Sequence, residues 1–213
     1  YWLRGNISAQ NWSAGLQVTN QHGSVVSSSG RGDFKAFLMT GKIQVNQHQG
    51  QLDLESYEAE IKIDGHKGDI RLENFAGPTS VENFDGGLNL VSFKGTSRVS
   101  RSKGQIDFAN GRSLLKIDQF SGDLRGKSDQ GAVVAHLLGS VNVRIKSEDG
   151  PISLRVPQSG ASVNIGSVKG ALLAPHFLHL NRFPNIKTMT GRLRGGAGGS
   201  IFVRTQTGQI RIQ

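Results

Sequence analysis

Four carboxylates and one guanidinium lie close together in the sequence, and their types could support acid–base or metal chemistry. They are Asp53, Glu55, Asp69, Arg71 and Glu73. Paired carboxylates act as general acid and base in glycoside hydrolysis, and carboxylate oxygens are good Ca²⁺ ligands. On an exposed sheet the same residues would form only a screened charge ladder, with Arg71 and Lys62 as counterions. The screened ladder is the favoured interpretation, and a polysaccharide-acting enzyme is the alternative.

Positive charge is concentrated in the second part of the chain. Residues 1–90 contain seven Lys and Arg against ten Asp and Glu, whereas residues 91–213 contain 18 against six. A solvated basic face would explain this pattern. So would an anionic partner, such as an envelope polymer, a glycan or lipid head groups. Nucleic acid is disfavoured because the chain lacks the motifs of DNA- and RNA-binding domains.

Seven basic residues are the candidate ligand-binding residues. Three are predicted to share one face of the fold and four belong to the C-terminal part: Lys62, Arg98 and Lys116, then Arg182, Lys187, Arg192 and Arg194. No catalytic residue, metal site or cofactor is predicted. The chain contains no cysteine, and it lacks the P-loop, dinucleotide-binding and Ser/His/Asp signatures.

A repeat of nine residues must position all of these side chains. From residue 68 to 94 the chain reads GDIRLENFA, GPTSVENFD and GGLNLVSFK. Glycine opens most of the units between Gly5 and Gly139, and the exceptions are the small residues Ala14, Ala59 and Ser113. A fixed short period is typical of a solenoid, in which each repeat packs only on its neighbours.

Each unit is predicted to be one strand followed by a corner. Apolar residues at the third and fifth places flank a polar fourth place, as in Ile70-Arg71-Leu72, which indicates a half-buried strand. Asn, Ser or Gln at the seventh place suits a corner with positive φ. We expect such corners at Asn11, Asn20, Ser56, Asn74, Asn83, Ser92 and Asn110. We expect the eighth-place side chains to point inward: Trp12, Met39, Tyr57, Phe75, Phe84, Phe93 and Phe120.

Charge stacking predicts that two of the nine-residue units form each coil. In that arrangement Lys35, Asp53 and Arg71 stack with alternating sign, which stabilises neighbouring strands. Three units per coil would instead stack Arg71, Arg98 and Arg125 on one another. The two-unit coil also predicts one unbroken inner ladder of Met39, Tyr57, Phe75 and Phe93, and it stacks His48 on His66 at a corner.

The chain is predicted to be one elongated domain, residues 1–213, with three parts. Residues 1–31 are irregular N-terminal coils, 32–139 are regular repeats and 140–213 are an irregular closing part. The weak helix candidate is 133–138. In the closing part we expect strands at 140–146, 152–156, 161–165, 191–194 and 201–204, an irregular excursion at 173–190, a flexible turn at 195–199 and a closing strand at 209–212.

The last third of the chain carries a recognisable pattern. It reads GPISLRVPQSGASVNIGSVKG and, after a loop, TGRLRGGAGGSIFVRTQTGQIRIQ. This resembles the adhesin-like family of bacterial envelope domains of unknown function. The matching residues are Gly150, Leu154, Pro157, Gly191, Gly195, Gly196, Thr205, Gly208, Ile210 and Ile212. The resemblance covers residues 140–213 and implies a β-solenoid, but it brings no catalytic residues, and the loop 173–190 is longer than the family pattern.

Together these observations predict an all-β, right-handed parallel β-solenoid. The predicted function is a non-enzymatic, adhesin-like binding module of the cell envelope, periplasmic or on the cell surface, that presents repetitive faces to a polymeric or anionic partner. Because the chain begins at Tyr1 and not Met, an upstream signal or anchor is expected. The second alternative is a scaffold that self-associates end to end, since open strand edges invite pairing. A different protein as the partner also stays open.

Overall fold

The structure is a computed structural model that describes residues 4–176, 178–194 and 199–213. These residues form strands and turns, and none of them belongs to a helix that could cross a bilayer. The strands are β1 (Arg4–Gln10), β2 (Leu16–Ser28), β3 (Phe34–Gln49), β4 (Leu52–Lys67), β5 (Ile70–Ala76), β6 (Thr79–Ser92), β7 (Thr96–Asn110), β8 (Leu114–Ser128), β9 (Val133–Ser147), β10 (Ile152–Arg155), β11 (Ala161–Ser167), β12 (Leu172–Leu173), β13 (His179–Phe183), β14 (Ile186–Leu193), β15 (Gly199–Thr205) and β16 (Ile210–Ile212).

Strands β1 to β9 stack in chain order, and each pairs in parallel with the next. Paired residues lie two repeat units apart in the chain: Leu16 is beside Phe34, and Phe34 is beside Leu52. The predicted β-solenoid and its two-unit coil are therefore confirmed. The same register already holds between β1 and β2, where Gly5 is beside Gly23, although residues 1–31 were expected to be irregular.

Each coil has two flat faces. Face A is formed by segments 34–39, 52–57, 70–75, 88–93, 106–111 and 124–129, and face B by segments 43–46, 61–64, 79–82, 97–100 and 115–118. Most longer strands run through both faces and bend at the corner between them, as β4 does. The core lies between the faces and holds the third- and fifth-place residues, such as Leu52, Leu54, Ile61 and Ile63, which are almost fully buried.

Glycine opens the units because neighbouring coils approach most closely there. Gly41 has φ 126°, and a Cβ atom on it would clash with the carbonyl oxygen of Gly23 in the preceding coil. Only glycine adopts that backbone conformation without strain. The nine-residue glycine period is therefore a requirement of coil stacking.

The two corners of a coil differ in the backbone conformation of the seventh-place residue. At the end of face B this residue is left-handed: Gln47 has φ 50° and Asn83 has φ 54°. At the end of face A the seventh-place side chain instead points inward. Asn74 is buried there, and its Nδ2 donates to the carbonyl oxygen of Ala59 at 3.1 Å. The expected positive φ is thus found at Asn11 and Asn83 and is wrong for Asn20, Ser56, Asn74, Ser92 and Asn110.

The direction of the eighth-place side chain depends on the backbone conformation of the seventh residue. After a left-handed residue the strand alternation is reset, so His66, Phe84 and Phe120 point inward and are at most 1 % exposed. After the other corner the alternation continues, and the eighth-place side chains point outward. The predicted inner ladder of Met39, Tyr57, Phe75 and Phe93 is therefore wrong in its direction: it is unbroken but lies on face A.

The C-terminal part departs from the period by a single position. Val141 pairs with Gly122, so these partners are one position further apart in the chain than partners in the regular coils, and the register shifts around Phe120. The helix candidate at 133–138 is wrong, because it is the first half of strand β9. The excursion at 173–190 is also more regular than expected, since β13 and β14 form an antiparallel hairpin on β11.

The chain order is broken where the molecule ends. Strand β15 lies between β9 and β11, and β16 lies between β10 and β12. The strand at 209–212, expected to close the end, is thus inserted between earlier strands, and hairpin β13–β14 is the terminal element of that sheet. Gly195 and Gly196, and most of the expected turn at 195–199, lie outside the described residues.

Candidate functional site

The acidic residues singled out in the sequence do lie together on face A. Glu55 lies beside Glu73, and Asp53 beside Arg71. The Arg71 guanidinium bonds the Glu73 carboxylate at 2.7 Å, and this bond raises the pKa of Arg71. Asp69 accepts a hydrogen bond from the backbone N–H of Gly87 at 3.2 Å. Asp69 and Arg71 line an open hollow of about 190 Å³, whereas Glu55 and Glu73 line a different one beside Tyr57 and Phe75. The acidic residues therefore do not converge on one cavity, and the geometry is that of a screened charge ladder on an open surface.

The predicted basic row of face B is interrupted, and the face as a whole carries both signs of charge. Arg98 and Lys116 are neighbours, but Ser80 separates them from Lys62. Lys62 is paired with Glu60 at 2.5 Å, and this hydrogen bond lowers the pKa of Glu60. The adjacent row, two positions further along each strand, contains Asp64, Glu82 and Asp118. The ligand-binding role of Lys62, Arg98 and Lys116 stays a prediction.

The four C-terminal candidates are exposed but do not form one cluster. Arg182 and Lys187 lie opposite each other in hairpin β13–β14. Arg192 lies opposite Ser162 of β11, and Arg194 follows the end of β14 with φ 49°. Because alternate residues of a strand point to opposite sides, Lys187 and Arg192 face different sides of the hairpin. Their role also stays a prediction.

A denser group of cations lies on face A and was missed in the sequence. We call it the basic cluster, and it consists of Arg125, Lys127, Arg144, Lys146 and Arg204. Arg125 stacks on Arg144, and Lys127, Lys146 and Arg204 form one row across β8, β9 and β15. The sequence does contain a signal for this cluster. If the coil is taken to be one residue longer than the regular two-unit coil, Arg125 aligns with Arg144 and Lys127 aligns with Lys146.

Arg204 is the best-positioned member of the basic cluster. Its guanidinium lies 4.2 Å from the ring centroid of Phe202, and its Nη2 donates to Oδ1 of Asn164 at 2.9 Å. Partial burial lowers the pKa of Arg204. Together with Lys127, Lys146, Val168 and Ile186 it lines a groove of about 380 Å³. The groove combines cationic and apolar walls, and Asp129 and Glu148 also line it.

The other end of face A carries an aromatic strip, defined as Met39, Tyr57, Phe75 and Phe93. The rings of Tyr57 and Phe75 are stacked 4.8 Å apart, and those of Phe75 and Phe93 are 5.0 Å apart. Tyr57 is 47 % exposed and Phe75 is 39 % exposed. The ring faces cover one another, so the strip presents ring edges to its surroundings. A second hollow of about 380 Å³ runs along it, with Glu55 and Glu73 in its wall.

A histidine pair is buried at the corner that ends face B. The rings of His48 and His66 are stacked at 5.3 Å, as predicted, and their Nδ1 atoms are 3.3 Å apart. Both Nε2 atoms are buried, and neither has a hydrogen-bond partner among the described residues. Burial lowers the pKa of His48, and burial together with the charge of His48 lowers the pKa of His66 to about 4. The two Nδ1 atoms are within hydrogen-bonding distance, so the tautomers of the two rings decide which one donates.

The family model of Toastrack DUF4097 matches residues 5–212. The chain belongs to the Toastrack DUF4097 family. No curated protein and no solved structure matches it. The family assignment agrees with the β-solenoid and with the resemblance to domains of unknown function, and it names no activity, ligand or adhesive role for this Toastrack domain.

Proposed function

We propose that this Toastrack domain is a non-enzymatic binding module of the cell envelope, periplasmic or on the cell surface, that holds an anionic polysaccharide at the basic end of face A. The observation that carries this proposal is the row Lys127, Lys146 and Arg204 on three adjacent strands. Adjacent strands are about 4.8 Å apart, so the row presents positive charges at regular short intervals. An extended chain with repeated carboxylates or sulfates matches such a row.

The surroundings of the row support a ligand of this kind. Arg125 and Arg144 form a second, parallel row, and the groove beside Arg204 has apolar walls in Val168 and Ile186. Guanidinium groups bind carboxylates and sulfates in bidentate fashion, and apolar walls accommodate the less polar faces of sugar rings. The regular rows on both faces of a solenoid suit extended partners better than small ones.

Charge distribution separates this site from the acidic ladder of the enzyme alternative. The four carboxylates at 53–73 lie at the other end of the same face, and Arg71 forms an ion pair with one of them, Glu73. A polyanion would be repelled there and attracted to the basic cluster. We therefore place the ligand at the basic cluster and assign no role in hydrolysis to Asp53, Glu55, Asp69 or Glu73.

Binding of polygalacturonate fragments, measured by isothermal titration calorimetry at low and raised salt, tests the proposal. Wild-type protein is expected to bind them more tightly than neutral dextran, and raised salt should weaken the binding because it screens exposed charges. The double substitution Lys127→Ser and Lys146→Ser should weaken binding at least about tenfold, equivalent to about 1.4 kcal/mol.

The matched control is Lys62→Ser with Lys116→Ser, which removes the same charge from face B. Equal losses in both variants would show that only net charge matters and would contradict a site at the basic cluster. Binding to vesicles with anionic lipids, without binding to the polysaccharide, would replace the proposed ligand class with lipid head groups. Failure to bind either ligand would refute the proposal.

A further inference from the structure

The two ends of face A carry opposite charges on one row of residues. From β4 to β15 the sixth-place row reads Glu55, Glu73, Val91, Ala109, Lys127, Lys146 and Arg204. Ala109 on β7 is the midpoint: Glu73 and Lys146 each lie two strands from it, and Glu55 and Arg204 each lie three. If a second copy of this row runs in the opposite direction, each acidic residue of one copy therefore lies opposite a basic residue of the other.

The neighbouring eighth-place row also exposes apolar side chains towards both ends of the face, with the exposed Asp129 and Glu148 between the two apolar groups. At the acidic end these are the aromatic strip residues, with Phe93 38 % exposed. At the basic end they are Val168, which is 39 % exposed, and Phe183, which is 58 % exposed and pairs with Ile186. Contiguous exposed apolar residues bordered by charge mark interaction surfaces on soluble proteins.

The centre of the face is small and flat. Ala109 is exposed, and Gly111 lies beneath the ring of Phe93 without a side chain of its own. Asp107 is the charged residue at the same level, and it stacks beside Arg125 of the next strand. A second flat surface can therefore approach the middle of face A closely.

We propose that two copies of this chain pair through face A in antiparallel orientation, about a two-fold axis that lies in the contact plane and passes by Ala109. Such an axis places Glu73 of one copy on Lys146 of the other and Glu55 on Arg204, each contact occurring twice. Isologous pairing of this kind closes at two copies, because the same surface is used on both sides. In the fourth-place row the same axis brings Arg71 opposite Arg144 and Asp107 onto its own copy, so the complementary contacts that hold the pair are those of the sixth-place row.

This inference does not rest on the polysaccharide proposal, but the two share the basic cluster. A polyanion bound at Lys127 and Lys146 would compete with Glu73 and Glu55 of the second copy. The pairing is therefore measured in the absence of any polymer, so that failure of one proposal leaves the other testable.

Charge exchange between two variants tests the pairing by sedimentation equilibrium. Wild-type protein is expected to form a dimer at low salt. Glu55→Lys with Glu73→Lys makes both ends basic, and Lys146→Glu with Arg204→Glu makes both ends acidic, so each variant alone should dimerise at least tenfold more weakly. A one-to-one mixture of the two variants should recover the dimer, because both contacts become complementary again.

Several outcomes of that experiment would overturn the proposal. They are a wild-type protein that stays monomeric at all concentrations, a mixture that does not recover the dimer, and a mass that grows beyond two copies. Lys62→Glu with Lys116→Glu on face B is the control and should leave the dimer unchanged. Circular dichroism of each variant shows whether the β-sheet is intact, and recovery in the mixture itself requires folded chains.

A single cysteine provides a second, geometric test, because the chain has none of its own. Residues on a two-fold axis meet their own copies, so Ala109→Cys should form a disulfide-linked dimer on mild oxidation. Ser80→Cys on face B should not, and it controls for random collision. Equal cross-linking of the two variants would contradict the proposed axis.

Discussion

Two ladders of side chains occupy the same place of the nine-residue repeat and lie on opposite sides of the sheet. His48, His66 and Phe84 are buried at the end of face B, whereas Tyr57, Phe75 and Phe93 are exposed on face A. The residue before each side chain makes the difference. A left-handed residue resets the alternation of the strand at one corner, and a buried Asn or Ser continues it at the other. The same place in the repeat therefore points inward at one corner of the coil and outward at the other.

Truncation of one ring in each ladder should give the largest contrast. Phe84→Ala removes a fully buried ring and should lower the free energy of unfolding by about 3–5 kcal/mol. Phe75→Ala removes a half-exposed ring and should cost about 1 kcal/mol or less. Urea unfolding followed by circular dichroism measures both values. Similar losses for the two variants would mean that the strip on face A is buried in solution, as it would be in the proposed dimer, and repeating the measurement on dilute protein separates these cases.

Acid should destabilise the buried ladder and leave the exposed one unaffected. The pKa of His66 is lowered to about 4, and that of His48 is also lowered, while Asp33 and Asp69 act in the opposite direction. Between the ordinary histidine pKa of about 6.5 and about 4, the unfolded chain binds protons that the folded chain does not, so stability falls as the pH falls through this window. The loss attributable to His66 is about 2–3 kcal/mol.

The double substitution His48→Phe and His66→Phe checks the origin of this pH dependence. It continues the Phe84 ladder with apolar rings, and it should flatten the stability curve across the same pH window. Tyr57→Phe on the exposed ladder is the control and should keep the wild-type slope. Urea midpoints across this pH range measure the effect, and an unchanged slope in the double variant would assign it to other groups.

The smallest expected effect concerns the corner that separates the two ladders. Gln47 is exposed and left-handed, with φ 50°. Gln47→Val places a β-branched residue in that conformation and should cost about 1–2 kcal/mol. Gln47→Asn should be nearly neutral, because Asn tolerates the left-handed region. Thermal unfolding distinguishes the two, and equal stabilities would mean that the left-handed corner does not control the direction of the ladder.

Much of the fold could be read from the chain because stacking repeats the same local requirements. The glycine period, the apolar third and fifth places and the alternating charges of Lys35, Asp53 and Arg71 led to the two-unit coil. The acidic ladder was also located correctly, since it lies within the regular coils. The basic cluster was missed because a shift of a single position before Val141 ended the period, which separated Lys146 from Lys127 in the alignment.

The amino-acid sequence alone determined the repeating strand, the coil length and the burial of the third and fifth places, because the steric needs of glycine and the burial of apolar residues act within one unit and its nearest neighbours. Only the tertiary structure decided that Tyr57 and Phe75 point outward and that β15 and β16 lie between earlier strands. The position of β15 beside β9 also places Arg204 next to Lys146. These features depend on the φ angle of a corner residue and on long-range strand pairing, and neither has a periodic signature in the chain.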